Sequence, residues 1–325
     1  MLGRVLVTRR IPDPALDLLM KECEVEINEE DRVLDKEEII RRVRDKNALL
    51  CMLTDHIDTQ VMDEGRNLQV IANNAVGYDN IDVAAATARR IPITNTPGVL
   101  TDTTADLTWA LLMAVARRIA EADRFVREGK FKSWSPMLLL GHDIHRKTLG
   151  IVGFGRIGFA VARRAVGFKM CILYSDVQKA NASLEEETGA QYVSLEILLR
   201  ESDFVTLHVP LNPGTIHLIG EKQFKMMKKT AYLINTSRGP VIDEKALVKA
   251  LKNDDIAGAG LDVYEKEPQI TPELLKLNNV VLLPHIGSAS WETRTQMALM
   301  AAENVLAVLR GLTPPNLVNP EVLKR

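Results

Sequence analysis

The run TLGIVGFGRIG carries Gly153, Gly155 and Gly158, with Arg156 and Ile157 between the last two, where an apolar stretch gives way to AVARRAVG. Strand, tight turn and helix in that order bring backbone close to a pyrophosphate and turn the first helical amides toward its charge. Glycines so spaced also make an ordinary packing turn. A second feature separates the two readings: MCILYSD ends in Asp176, and a dinucleotide site needs such a carboxylate about 20 residues downstream to bind the adenosine ribose. An acid there favours NAD over NADP, because a ribose 2′-phosphate would meet like charge that Arg156 or Lys179 could moderate. In HVPLNPGT, Pro210 and Thr215 follow an apolar run; in INTSRGP, Thr236 and Ser237 do the same. These residues could line the same crevice or simply satisfy turn backbone.

Such groups need sheets to hold them. RVLVT, ALLCML, LQVIAN and IPITNT alternate with helix-like stretches at 14–21, 35–44 and 82–90, a first α/β unit whose continuous apolar strands must be covered on both faces. Residues 101–129 read as one long helix. Leu107, Leu111, Val115, Ala122 and Val126 share one side, and Trp109, Met113 and Ala116 a second. Two apolar faces imply contacts on both sides: an ordinary interdomain helix, or one that adds a dimer contact whose surface 134–140 would complete. MCILYSD, DFVTLHV, TAYLINTS, AGAGLDV and NVVLLPH supply further strands, with helices at 196–200 and 243–252, for a second doubly wound unit. The last helix, 291–310, stops at Gly311 and is expected to return to the first unit. Hinges are placed near 98–101 and 285–292.

A length of 325 residues suggests two domains of about 150 residues each. The 41 basic and 43 acidic side chains give a formal charge of -2, so no excess positive field grips a nucleic-acid backbone, and none is expected as partner. Cys23, Cys51 and Cys171 lie apart without metal-ligand spacing, and an odd count leaves no fully paired set; a reducing cytoplasm fits. MLGRVLVTRR lacks a long apolar region and ALLMAVARRIAEA is broken by charge, so no targeting or membrane segment is expected.

VGYDNID, the GFGRIG-to-Asp176 module, INTSRGP, LDVYEKEP and LLPHIGSA, in this order over nearly the whole chain, resemble the D-isomer-specific 2-hydroxyacid dehydrogenase family. The pattern is nearest to its glyoxylate and hydroxypyruvate reductases. The resemblance implies NAD-linked interconversion of small 2-oxo and 2-hydroxy acids, without a protein-bound metal; a homodimer is expected from the apolar faces of the 101–129 helix. The resemblance also implies an α/β fold of two doubly wound parallel-sheet domains. A Rossmann dinucleotide-binding domain, 101–289, would be inserted in a flavodoxin-like substrate domain built from 1–100 and 290–325.

The same resemblance assigns roles. Arg238 in TSRGP matches the arginine that binds the substrate carboxylate and polarises its carbonyl. His285 in LLPHIGSA matches the proton-transfer residue, and Glu267 in YEKEP its acid partner; Glu265 is closer to the strand and competes locally without matching the motif position. His142, His145, His208 and His217 lack the complete context. Val76 and Gly77 match a first-domain loop whose amides bind the acid carboxylate, although a bland turn is also open. Thr104 in TTADLTW matches a residue near the cofactor or else caps its helix. Asp262 in LDVYEKEP and Gly287 in LLPHIGSA extend the expected cofactor contacts. A phosphite dehydrogenase would carry lysine where Val76 stands, formate dehydrogenases replace the glutamate and are longer, and phosphoglycerate dehydrogenases with a regulatory domain extend further. A broader D-hydroxyacid dehydrogenase and a non-catalytic, NAD-responsive corepressor remain alternatives.

Overall fold

A computed structural model describes residues 1–323. Lys324 and Arg325, the end of the expected 290–325 return segment, lie outside the described residues. The chain divides into two compact units, Met1–Leu100 with Ser288–Arg325, and Thr101–Gly287.

In the first unit, β1 (Arg4–Val7), β2 (Glu24–Ile27), β3 (Ala48–Cys51), β4 (Val70–Asn73) and β5 (Ile93–Thr94) form a parallel sheet in the order β2-β1-β3-β4-β5. This is the flavodoxin-like doubly wound order. Between the strands run α1 (Asp13–Met20), α2 (Lys36–Val43), α3 (Thr59–Glu64) and α4 (Val83–Ala88). Local chemistry starts three of them: Asp35 and Glu38 form a capping box on α2, and Asp58 and Asp82 cap α3 and α4. Val5 and Val7 face a core that includes Leu16 and Leu19, while Leu6 between them faces Ile39 and Val43, the alternation of a strand buried on both faces.

The second unit holds β6 (Thr148–Val152), β7 (Cys171–Ser175), β8 (Gln191–Tyr192), β9 (Phe204–Leu207), β10 (Tyr232–Asn235), β11 (Gly258–Leu261) and β12 (Val280–Leu282). Its strand order is β12-β11-β10-β9-β6-β7-β8, with every pair parallel. The chain enters at β6, winds outward through β7 and β8, and then returns to the other side of β6 at β9. Ligands bind beyond the carboxyl ends of strands at such a reversal. Helices α5 (Thr101–Ala116), α6 (Ile119–Arg127), α7 (Arg156–Gly167), α8 (Ala182–Thr188), α9 (Leu195–Glu201), α10 (Glu221–Phe224) and α11 (Glu244–Lys252) belong to this unit.

The expected single helix over 101–129 is two helices. Arg118 stands between α5 and α6 with φ 53°, and the Ala116 carbonyl accepts the His142 N–H at 2.9 Å instead of continuing a helical ladder. A segment about twenty-five residues downstream therefore ends α5, a cause no local pattern carries. The apolar faces end with it: Leu111, Leu112 and Val115 are buried on α5, whereas α6 buries nothing. The last helix, α12 (Trp291–Leu309), packs Ala298, Ala301, Ala302 and Val305 into the first unit's core beside Val5 and Val70. It completes that unit's sheet cover from the far end of the sequence.

Candidate active site

The glycine turn sits between β6 and α7. Gly153 has φ 91°, and a Cβ there would lie 2.7 Å from the His208 carbonyl carbon at the end of β9, so both backbone conformation and crossing strand require glycine. Gly155 precedes α7 with nothing within 4 Å of its Cβ position and no side-chain cap on the helix, leaving the first α7 amides to an incoming anion. Arg156 is exposed on that first turn, with Ile157 half-buried and Gly158 buried. Asp176 is tied to the turn: its carboxylate accepts the Phe154 N–H at 2.7 Å and the Val177 N–H at 2.6 Å. Lys179, one of the two cations considered as moderators of Asp176, pairs with Glu185 at 3.2 Å. This turn, open above Gly155 and edged by a fixed acid, fits a dinucleotide.

The other strand ends are more self-contained. Thr215 donates to the Pro210 carbonyl at 2.7 Å and accepts the Asn212 N–H, closing its own loop. Thr236 pairs with the Thr108 hydroxyl at 2.8 Å, and Ser237 donates to Asn235 Oδ1 at 2.8 Å. Thr104 does not cap its helix; it is buried and donates to the Gly287 carbonyl at 3.1 Å. Beside it, Asp262 closes β11 fully buried. Its Oδ1 accepts the Ile286 N–H at 2.8 Å, while Oδ2 has no hydrogen-bond partner among the described residues. Burial raises the Asp262 carboxyl above its usual range, partly offset by the Ile286 and Gly287 amides. A buried carboxylate oxygen without a donor calls for one, and the carboxamide of a nicotinamide has the needed N–H. His208 has a buried, unbonded Nε2, and burial drives the ring down to about 3 and keeps it neutral.

Three side chains implied by the resemblance come from neighbouring strand ends of this same unit. Arg238 follows β10, and its Nη1 donates to the Ser237 carbonyl at 2.9 Å. A Cβ on Gly239 would lie 1.8 Å from the Tyr264 carbonyl, so the arginine turn lies directly against the loop after β11. That loop carries Glu267, whose Oε2 meets His285 Nδ1 at 2.8 Å while Oε1 accepts the Tyr264 N–H at 3.0 Å. Burial opposes ionisation of Glu267, but the His285 hydrogen bond and charge, the Tyr264 amide and the Arg238 charge outweigh it and hold the carboxyl below its ordinary value. His285 has φ 54°, an uncommon conformation for a non-glycine residue, and its N–H donates to the Asp262 carbonyl at 2.9 Å.

The competing acid lies elsewhere. Glu265 exchanges backbone-to-carboxylate bonds with Glu244 and meets His217 Nε2 at 3.2 Å. Tyr264, absent from the sequence reading, fastens this region twice: its amide holds Glu267, and its phenol donates to the Leu283 carbonyl at 2.8 Å. An aromatic residue with a polar tip just before the acid pair was the available signal. Val76 and Gly77 belong to the first unit, just beyond β4, where their carbonyls accept Asn95 Nδ2 and Asn73 Nδ2 at 2.8 Å each. Among the described residues no three His, Cys, Asp or Glu side chains gather as a metal site, and no helix is long and apolar enough to cross a membrane.

A doubly wound sheet with a glycine turn, a second-strand acid and an acid–histidine pair at its carboxyl edge defines a nicotinamide-nucleotide oxidoreductase. Residues 109–287 match the NAD-binding domain model of the D-isomer specific 2-hydroxyacid dehydrogenases. The chain is 58% identical over 324 residues to a glyoxylate reductase of Korarchaeum cryptofilum, covering 99% of this chain and 97% of that one. Among solved structures, the TT0316 protein of Thermus thermophilus superposes with a TM-score of 0.92 at 47% identity, covering 97% of this chain and 99% of that one. An NADPH-dependent glyoxylate/hydroxypyruvate reductase of Sinorhizobium meliloti, solved with NADP and malonate, gives 0.85 at 32%, covering 99% and 98%. The chain belongs to the D-isomer specific 2-hydroxyacid dehydrogenase family.

Proposed function

We propose that the protein reduces a small 2-oxo acid, by preference glyoxylate or hydroxypyruvate, to the 2-hydroxy acid, with NADH favoured over NADPH. The 2.8 Å contact between Glu267 and His285 Nδ1 carries the reading, and the glyoxylate reductase relative supplies the substrate class. In this reading the α7 turn and Asp176 hold the nucleotide, and Asp262 accepts from the nicotinamide carboxamide. When bound, the cofactor supplies the hydride that reaches the carbonyl carbon. Glu267 fixes the imidazole with a proton on Nδ1, so that Nε2 of the charged ring faces outward and gives its proton to the carbonyl oxygen. Arg238 binds the carboxylate and polarises the carbonyl. The first unit, with its 290–325 return, acts as the substrate domain, and 101–289 as the cofactor domain. The direct test is consumption of NADH on adding glyoxylate; saturable NADH binding without turnover across small oxo acids would favour a binding role.

Two predictions arise from the cofactor residues. Asp176→Ser should raise the NADPH-to-NADH ratio of kcat/KM by removing the charge a 2′-phosphate would meet; an unchanged ratio in paired kinetics would count against the assignment. For Asp262→Asn the expected effects have opposite senses. Because burial raises the folded-state pKa of Asp262, its ionisation costs stability once pH exceeds the unfolded value, so the neutral variant should melt no lower at neutral pH. With its amide nitrogen in place of Oδ2, it should nevertheless raise KM for NADH about tenfold. Thermal unfolding beside cofactor kinetics separates these effects.

A homodimer in the cytoplasm completes the proposal. On α6 and the segment after it, Val126, Phe131, Trp134, Met137 and Leu140 are exposed, Trp134 by 80%, a concentration of apolar surface suited to a second copy. Mass measurement in solution tests it. The three cysteines are free, two of them buried, as suits a reducing compartment.

A further inference from the structure

We propose that Asn73, Asn80 and Asn95 are positioning residues that aim a row of backbone N–H groups at the substrate carboxylate, an inference resting on the reading of the Val76–Gly77 loop as the carboxylate-binding loop. Three consecutive carbonyls beyond β4 are held by the protein. Ala75 accepts the Thr96 N–H at 2.9 Å, Val76 accepts Asn95 Nδ2 at 2.8 Å, and Gly77 accepts Asn73 Nδ2 at 2.8 Å. In a trans peptide the C=O and the next residue's N–H point in opposite directions. Anchoring those oxygens therefore turns the Val76, Gly77 and Tyr78 N–H groups away from the anchors, and these three make no hydrogen bond among the described residues. Successive donors left together form an anion-binding nest.

The carboxamides are themselves fixed. Asn73 is fully buried, and its Nδ2 also donates to Asn80 Oδ1 at 3.1 Å. Asn80 Nδ2 in turn donates to the Met52 carbonyl at 3.1 Å and the Asp55 carbonyl at 3.0 Å, locking it to the turn after β3. Asp55 anchors that turn by accepting the Met52 N–H at 2.7 Å and the Thr8 hydroxyl at 2.5 Å. The orientations of the Asn73 and Asn80 amides are thus dictated by their neighbours rather than by solvent. A carboxamide suits this post because it donates to a carbonyl without adding a negative charge beside the substrate anion.

The experiment compares Asn95→Asp, which keeps the shape and loses the donor, with Asn80→Ala, which frees Asn73, and with Gly77→Pro, which deletes one of the three N–H groups. For Asn95→Asp and Asn80→Ala, KM for glyoxylate should rise about tenfold or more, with kcat changed far less and NADH affinity within about twofold. The preference for glyoxylate over the carboxylate-free glycolaldehyde should fall by the same factor, a change that a merely structural defect would not make. If Gly77→Pro raises KM while both asparagine variants keep the parental value, the positioning role is overturned and the loop reading stands. If Gly77→Pro also leaves KM unchanged, the loop reading itself is overturned.

Discussion

His285→Gln is expected to lower kcat roughly 10²- to 10⁴-fold, the usual worth of a positioned general acid, while NADH affinity stays within about twofold. The expected selectivity follows from the geometry. The ring contacts Glu267 through Nδ1 at 2.8 Å and its backbone is held by the Asp262 carbonyl, whereas the glycine turn and Asp176 lie at β6 and β7. Glutamine keeps a polar side chain of similar reach but cannot deliver a proton from a cation. Single-turnover kinetics with bound NADH reads the chemical step apart from binding; near-parental turnover in a folded variant would remove His285 from the proton path. The partner has its own signature. Glu267 is held below the ordinary carboxylate range, so its contribution to stability is full above the pH where a free glutamate titrates and is lost as pH falls through the lower folded value. Glu267→Gln should therefore flatten the acid limb of the unfolding midpoint against pH.

Arg238→Lys should lower kcat/KM for glyoxylate by roughly 10²- to 10³-fold, a loss of the size seen when a charge-stabilising donor is removed. A guanidinium presents a planar fork that can grip a carboxylate and polarise the adjacent carbonyl together, whereas an ammonium is one mobile point charge. The arginine turn has little freedom to compensate. Gly239 packs directly against the Tyr264 carbonyl, and Asn235 Nδ2 donates to the Arg238 carbonyl at 2.9 Å, so the lysine amine starts from the same backbone position. The substitution keeps the positive charge, so a large loss would identify geometry rather than charge as the working property. Steady-state kinetics with glyoxylate, beside an NADH titration, measures it; a loss below about threefold would contradict a bidentate role.

Where the sequence was legible, one segment carried its own cause. The central strands β1, β3, β4, β9 and β10 are buried on both faces, so each reads as an apolar run without knowledge of its neighbours. Two of the four edge strands escaped, whereas β5 and β12 were read from IPITNT and NVVLLPH. β2 alternates glutamate with valine and isoleucine at a half-exposed edge, and β8 is two exposed residues, too little pattern to separate from loop. The short helices α3, α8 and α10 escaped for the same reason. The break between α5 and α6 depends on His142 reaching back to Ala116, and the empty oxygen of Asp262 on the small Gly287 beside it. The bonds of Asn80 and Asn95 carried no local signal, since their partners Met52, Asp55 and Val76 lie in loops of other strands. Glu267 and Glu265 are two residues apart in the same loop. Local order could not separate them, and the fold does so by giving Glu265 to Glu244 and His217.

In the proposed reaction Arg238, Glu267 and His285 serve transfer of a hydride to a carbonyl carbon and of a proton to its oxygen. The most direct measurement supplies glyoxylate with NADH carrying deuterium at the transferring carbon and follows the label by mass spectrometry and NMR. Glycolate should bear that deuterium at carbon 2, formed one for one with oxidised cofactor, and almost none should form over the same interval with His285→Gln. Saturable NADH binding with no labelled glycolate, or equal labelling by the His285→Gln variant, would contradict this mechanism.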